Sequence, residues 1–461
     1  MNYLSLALEA WRDGAGLRVR RTRYKRYTYG DQWSDPVTTA DGRTVDEASL
    51  ASRNGQHPLT NNVIRQLVKC VIGNFRSTMT PPAPAPADET ADRNALDELD
   101  CRMLEEFLIS GCAIQRVTVE KRMAGDGVWV DNVSPDSFFI NRFTDPRGLD
   151  IELVGMLHSL SFREVMMRFG SDPARAALIA RTYASGAAPE PPGGVGLGDA
   201  VAADFFRAPG HRCRVIEVWT LESRNILKCH DPEQGTAFML ADDKLKAIET
   251  VNRERTRAGR PEVDVVRRTT MRWHCRMFTP DGHVLDEYDS PYPHGLHPFA
   301  VKFYPLTDGE VHSFVEDIID QQRHVNRLIT LMDHIMSHSA KGVLLFPAEQ
   351  KPACFSWQQI GELWASCNGI IPYEPSRCDG EPRQIISNGS DAGANQLLSL
   401  QMQLFQQISG VTDAMQGHSR QGVNSASMFD AQVQRSAIAL LDLLDSFNTF
   451  RRNRNKLIVT S

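Results

Sequence analysis

The run Glu310-Val311-His312-Ser313-Phe314-Val315-Glu316-Asp317-Ile318-Ile319-Asp320-Gln321-Gln322-Arg323-His324-Val325-Asn326 opens the longest helical pattern in the chain. Val311, Phe314, Val315, Ile318, Gln322, Val325, Ile329 and Met332 recur at i, i+3, i+4 and i+7. That spacing predicts one buried stripe on a helix over 310–339. At ~1.5 Å per residue such a helix reaches roughly 45 Å. A helix of that length organises whatever lies on either side of it.

Downstream, Gly342-Val343-Leu344-Leu345-Phe346-Pro347 reads as a strand, Ser356 to Cys367 as a helix, and Gly369-Ile370-Ile371-Pro372-Tyr373 as a second strand. A second long helix is predicted over about 392–410. It holds no Asp, Glu, Lys or Arg between Ala392 and Val411. Gln396, Gln401, Gln403, Gln406 and Gln407 form its polar side; Leu397, Leu400, Leu404 and Ile408 form its apolar side. A face that avoids both signs of charge suits packing between identical helices, or a wall past which a charged polymer moves. A glycine-punctuated loop follows, with His418, Arg420, Gln421 and Asn424. A third long helix is expected from Ser425 to near the end. Its last cations, from Arg451 to Lys456, suit the negative end of a helix dipole.

Upstream, period-two patterning in Ala113–Val119, Val128–Val130, Phe138–Ile140, Arg214–Trp219 and Met271–Phe278 predicts a small sheet, with a hairpin at Pro280-Asp281-Gly282. Helices are predicted over Val63–Ile72 and over 90–110, the second closed by Gly111. Residues 1–12 read as a short amphipathic helix, and 240–258 as a charged one. The mixture defines an α+β chain.

The chain has 461 residues, with Lys+Arg 51 against Asp+Glu 57 and a net charge of -6. That balance excludes a protein that grips nucleic acid by bulk positive charge. No apolar run approaches the ~20 residues of a membrane span. The nine cysteines are scattered and form no CxxC, as expected of a reduced compartment. GxxxxGK[ST], GxGxxG, GxSxG and HExxH are all absent. Cys229-His230, His274-Cys275 and His294/His297 lack zinc-ligand spacing. No metal, cofactor or catalytic residue is expected. Arg323 and Arg327 read either as a solvated helix face or as a surface facing a polyanion or a neighbouring subunit. The basic aromatic stretch 18–29 reads equally as a nucleic-acid contact, with stacking rings beside cations, or as a segment docked on its own domain or on another subunit.

Three blocks, in order, resemble the portal proteins of tailed bacteriophages. The first is Tyr29-Gly30-Asp31-Gln32-Trp33 with Arg53-Asn54-Gly55-Gln56-His57-Pro58-Leu59-Thr60-Asn61-Asn62 and the helix after it. The second is Asp308-Gly309-Glu310 leading to Asp320-Gln321-Gln322-Arg323-His324-Val325-Asn326. The third is Ile408-Ser409-Gly410-Val411-Thr412 with Asp413 to Met428.

The resemblance implies a portal fold assembling as a ring. Residues 1–305 would form an α/β wing with a small β-barrel, 306–340 the first stem helix, and 341–388 a small α/β clip. Residues 389–410 would form the second stem helix, 411–425 the tunnel loop, and 426–461 a long tunnel helix returning to the wing. A crown would be absent, or the chain a partial form. In the tunnel loop, Gln416, His418, Ser419, Arg420, Gln421 and Asn424 would face the DNA channel. Arg323, Arg327, Gln403 and Gln407 would be stem positions. Lys341, Lys351, Trp357, Trp364 and Arg377 would dock partners at the clip. The implied partners are further copies of the chain in a dodecamer, double-stranded DNA, the terminase large subunit, the major capsid protein, scaffold, and head-completion or tail proteins. The place implied is the portal vertex of the virion, after assembly in the host cytoplasm. The competing readings are a metal-dependent hydrolase or nuclease, and a capsid adaptor without a channel.

Overall fold

The computed structural model describes the whole chain except residues 1, 54, 80–82, 84, 124, 184–198, 340–342, 366–369, 374–381, 386–390, 412–414 and 416–437. It divides into two compact units. One comprises Met1–Thr22, Phe75–Ser313 and Asp442–Ser461; the other comprises Arg23–Asn74 and Phe314–Leu441. Residues 23–74 thus group with the long helices rather than with the sheets.

The first unit is built on an antiparallel sheet. Its strands run in the order Val284–Asp289, Asp264–Phe278, Cys213–Asp231, Leu153–Leu160 and Phe138–Ile140, and Thr236–Ala241 pairs with the far half of Cys213–Asp231. A three-stranded sheet orders Phe299–Phe303, Cys112–Arg122 and Gly125–Asn132. The hairpin at Pro280-Asp281-Gly282 forms, joining Asp264–Phe278 to Val284–Asp289. One face of the sheet packs Val154, Val215, Trp219, Trp273 and Cys275 into the main core. The other face packs Leu153, Leu157, Ile216 and Val218 against helix Tyr3–Asp13, whose Leu4, Ala7, Leu8 and Trp11 recur at helical spacing.

The region 90–110 is two helices, Asp88–Arg93 and Leu96–Ser110, because Ala95 between them takes a left-handed conformation (φ 47°). Gly111 does end the second one. At φ 72° it tolerates no side chain: a Cβ there would lie 2.7 Å from Val311 Cγ1 and 2.9 Å from the His312 carbonyl.

The last described helix is Leu441–Thr460. Phe447 packs on Phe75 and Phe107 at 5.5 and 5.6 Å. Its basic run does more than complement a dipole. Arg451 Nε donates to Asp100 Oδ2 at 2.7 Å and Arg454 Nη1 to Asp100 Oδ1 at 2.7 Å, all three residues being buried.

In the second unit the long helix is Phe314–Ser339. It begins four residues later than its pattern predicts. Leu306, Asp308 and Gly309 have positive φ, and Glu310–Val311 turns back to pair with Pro305–Thr307 as a strand. A left-handed run followed by a strand cannot be the first turn of a helix.

Helix Asp391–Ser409 packs against the long helix. Its buried side is not the leucine stripe: Phe405 and Ser409 are buried, while Leu397, Leu400 and Ile408 are nearly half exposed. Val343–Leu345 pairs antiparallel with Arg383–Ile385, with helix Trp357–Ala365 between them in sequence. The strand expected at Gly369–Tyr373 is absent from its described residues, 370–373. Among the described residues, no helix is long and apolar enough to cross a membrane.

Candidate functional site

The long helix presents amides where its apolar stripe predicts hydrocarbon. Gln322 is fully buried, and Asn326 and Thr330 follow it at four-residue intervals on the same side. Gln322 Oε1 accepts from the backbone N–H groups of Val63 and Ile64 at 3.0 and 3.2 Å. These are first-turn donors of helix Val63–Thr78, which have no partner within their own helix. Gln322 Nε2 donates to the Asn61 carbonyl at 2.6 Å and to Asn326 Oδ1 at 2.9 Å. Asn326 Nδ2 donates to Gln32 Oε1 at 2.6 Å, and Gln32 Nε2 donates to the Tyr27 carbonyl at 2.7 Å. Thr330 Oγ1 accepts from Leu59 N–H at 3.0 Å. Asn62 closes the end by accepting from Arg65 N–H.

Two ionic sites flank this network. Asp35 accepts from Arg23, from Arg26 and from the Tyr27 hydroxyl, the last at 2.8 Å. Burial works to raise the Asp35 carboxyl, but bonds from Arg23 and Tyr27 outweigh it and hold its pKa below the ordinary value. Burial, helped by the bond to Asp35, pushes Tyr27 up to about 12.

The second site is Glu47, only 6% exposed, on helix Glu47–Arg53. Arg323 Nη2 reaches Glu47 Oε2 at 3.3 Å and Arg327 Nε reaches Oε1 at 2.8 Å. Gln32, Asn61, Gln322 and Asn326 are thus one hydrogen-bonded assembly. Sequence reading missed it by counting Gln322 with the apolar residues. The signal was present, since a glutamine inside such a stripe needs buried partners.

The structure places the other expected residues as follows. Gln403 and Gln407 lie exposed on helix Asp391–Ser409. Trp357 is half exposed and meets Phe346 edge-on at 6.1 Å, with Lys351 Nζ 5.9 Å from the Trp357 ring. Lys351 also donates to the Phe355 carbonyl, and Trp364 is half-buried. Gln416, His418, Ser419, Arg420, Gln421, Asn424, Lys341 and Arg377 lie outside the described residues.

The stretch 18–29 is part of helix Ala15–Tyr29; its arginines are held within the chain, while Lys25 is exposed. Arg18 stacks 3.4 Å over the Trp11 ring, and Arg21 binds Glu106 and Asp136. Arg23 and Arg26 bind Asp35. The arginine contacts favour docking on the chain's own residues over a nucleic-acid contact.

The histidines invoked for zinc have other neighbours. His274 Nδ1 lies 2.7 Å from Asp289, while Cys275 is buried among apolar side chains. His297 faces Trp273 edge-on at 4.6 Å and is pushed down to about 4, chiefly by burial. Among the described residues no three His, Cys, Asp or Glu side chains converge to hold a metal ion.

A sequence model of the family described as "Phage P22-like portal protein" matches residues 8–460. No curated protein matches the chain.

Proposed function

The chain belongs to the phage P22-like portal protein family, and from that premise we propose that it forms the ring through which a phage capsid is filled and emptied of double-stranded DNA. Residues 1–305 act as the wing, 306–340 and 389–410 as the stem helices, and 341–388 as the clip. Residues 411–425 are the tunnel loop, and 426–461 the helix returning to the wing. The ring occupies one vertex of the virion. Its clip, through Lys341, Lys351, Trp357, Trp364 and Arg377, receives the terminase motor and later the head-completion and tail proteins. The tunnel loop, through Gln416, His418, Ser419, Arg420, Gln421 and Asn424, touches the DNA backbone without sequence preference. The reading assigns no catalytic step.

One observation carries it beyond the family match: helix Asp391–Ser409 exposes Leu397, Leu400 and Ile408 together with Gln403 and Gln407. A lone chain gains nothing from an exposed leucine stripe. Neighbouring copies cover it in a ring, with the uncharged amides left for the lumen.

Mass measurement and negative-stain imaging test this. A ring of about a dozen subunits with a central hole is the expected result. Particles without a hole support the capsid adaptor instead. Replacing His418 and Arg420 by Ala should leave the ring intact and alter packaging or DNA retention; unchanged packaging and retention remove those residues from the channel.

A further inference from the structure

In the first unit, a cleft of about 670 Å³ opens beside strand Phe299–Phe303. All five residues of that strand line it. The strand is the edge of its sheet: it pairs with Cys112–Arg122 on one side, and no described strand pairs with the other. An edge of this kind carries backbone donors and acceptors that an extended chain can use.

The cleft is apolar where it is open. Leu149, Met271 and Leu296 line it at 72%, 57% and 48% exposure, with Trp273 and Leu457 buried beside them. Large side chains exposed together in one concavity mark a binding surface rather than ordinary surface scatter.

Its charge is one-sided. Arg147, Arg272, Lys302 and Lys456 line it, and no Asp or Glu does, in a chain where acids outnumber Lys and Arg. The nearby carboxylates are already bonded: Asp145 holds Arg147, and Asp442 accepts from the Tyr304 hydroxyl. Lys302 Nζ donates to the Pro146 carbonyl at 3.4 Å, and partial burial pulls its ammonium pKa down against the opposing charge of Asp442. An ammonium that no carboxylate hydrogen-bonds has donors left for an incoming anion.

We propose that this cleft docks an extended acidic segment of a second polypeptide, added as a strand to Phe299–Phe303. Its apolar side chains would rest on Leu149, Met271 and Leu296, and its carboxylates would meet Lys302 and Lys456. The inference concerns the first unit and does not depend on the DNA channel.

The test uses the full chain and a fluorescein-labelled, end-blocked peptide alternating leucine and glutamate, read by anisotropy. Controls are the same peptide with lysine for glutamate, and one with proline at its centre. The acidic peptide should bind saturably, and the lysine peptide should not. Central proline should weaken binding about tenfold, because it removes a ladder donor. Lys302→Gln with Lys456→Glu should weaken it about tenfold, and Met271→Glu should abolish it, with circular dichroism and unfolding midpoint unchanged. Equal binding of both charged peptides, no saturable binding, or full binding to the lysine variant overturns the proposal. So does self-association of the chain that Met271→Glu abolishes, since a second copy would then be the occupant.

Discussion

Gln322 shows why a single amide can define a fold in this chain. It satisfies two donors at the start of helix Val63–Thr78 and gives two hydrogen bonds of its own. An unmet buried donor or acceptor costs about 1–3 kcal/mol. Gln322→Ala strands several at once, so a loss of roughly 3 kcal/mol is expected, read as a lower urea midpoint. Gln403→Ala, on an exposed face, should shift that midpoint negligibly.

Glu217 makes a different prediction. Fully buried, it meets Arg116 at 3.1 Å, His158 at 2.6 Å and Trp219 at 2.7 Å. Burial alone would raise its pKa, but Arg116 and His158 outweigh it and hold the carboxyl at about 2, against an ordinary 4.5. The folded state thus binds this proton less readily than the unfolded chain. Its contribution is complete above pH ~4.5 and is lost as pH falls toward 2, amounting to about 3 kcal/mol. Acid titration of unfolding should show Glu217→Gln less stable than wild type at neutral pH, with a shallower decline across that window. Parallel curves would mean that this carboxylate does not govern acid stability.

At the scale of elements, the patterns that survive are the ones local physics enforces. The stripe Phe314, Val315, Ile318 and Val325 is buried as its period predicts. Gly111 ends its helix because only glycine fits there. The choice of partners was not legible. Val343–Leu345 pairs with Arg383–Ile385 rather than with the run at 369–373, because strand pairing is decided across the fold and not along the run. Helix Asp391–Ser409 offers two apolar arcs, and period alone does not say which one faces the long helix. Of the candidate site, sequence reading located Arg323 and Arg327 but not their partner Glu47, which lies 276 residues from Arg323.

These exposures set an expectation for the element itself. Leu400→Glu places a charge on a position 48% exposed in the single chain. Unfolding of the separated subunit should change by no more than about 0.5 kcal/mol, while sedimentation should show the ring lost. A subunit that unfolds early would put Leu400 in the core instead, and an intact ring would take it out of the interface.

For the whole molecule, the net charge of -6 bears on how the proposed channel would touch DNA. Each phosphate neutralised by a cation releases a counterion and adds affinity, about one logarithmic step per tenfold change in salt for each contact. Such contacts hold DNA still, whereas a conduit works better without them. Helix Asp391–Ser409, which carries no charged side chain after its first residue, meets that requirement at Gln403 and Gln407, exposed four residues apart on one face. Gln403→Arg with Gln407→Arg leaves the face exposed and helical and adds two cations per subunit. If these positions line the channel, the ring should bind a short linear duplex more tightly at about 50 mM salt. The salt slope should steepen, the gain should vanish in high salt, and packaging should slow. Unchanged affinity and slope in an intact ring would turn this face away from the DNA, leaving Gln403 and Gln407 to the contact between copies.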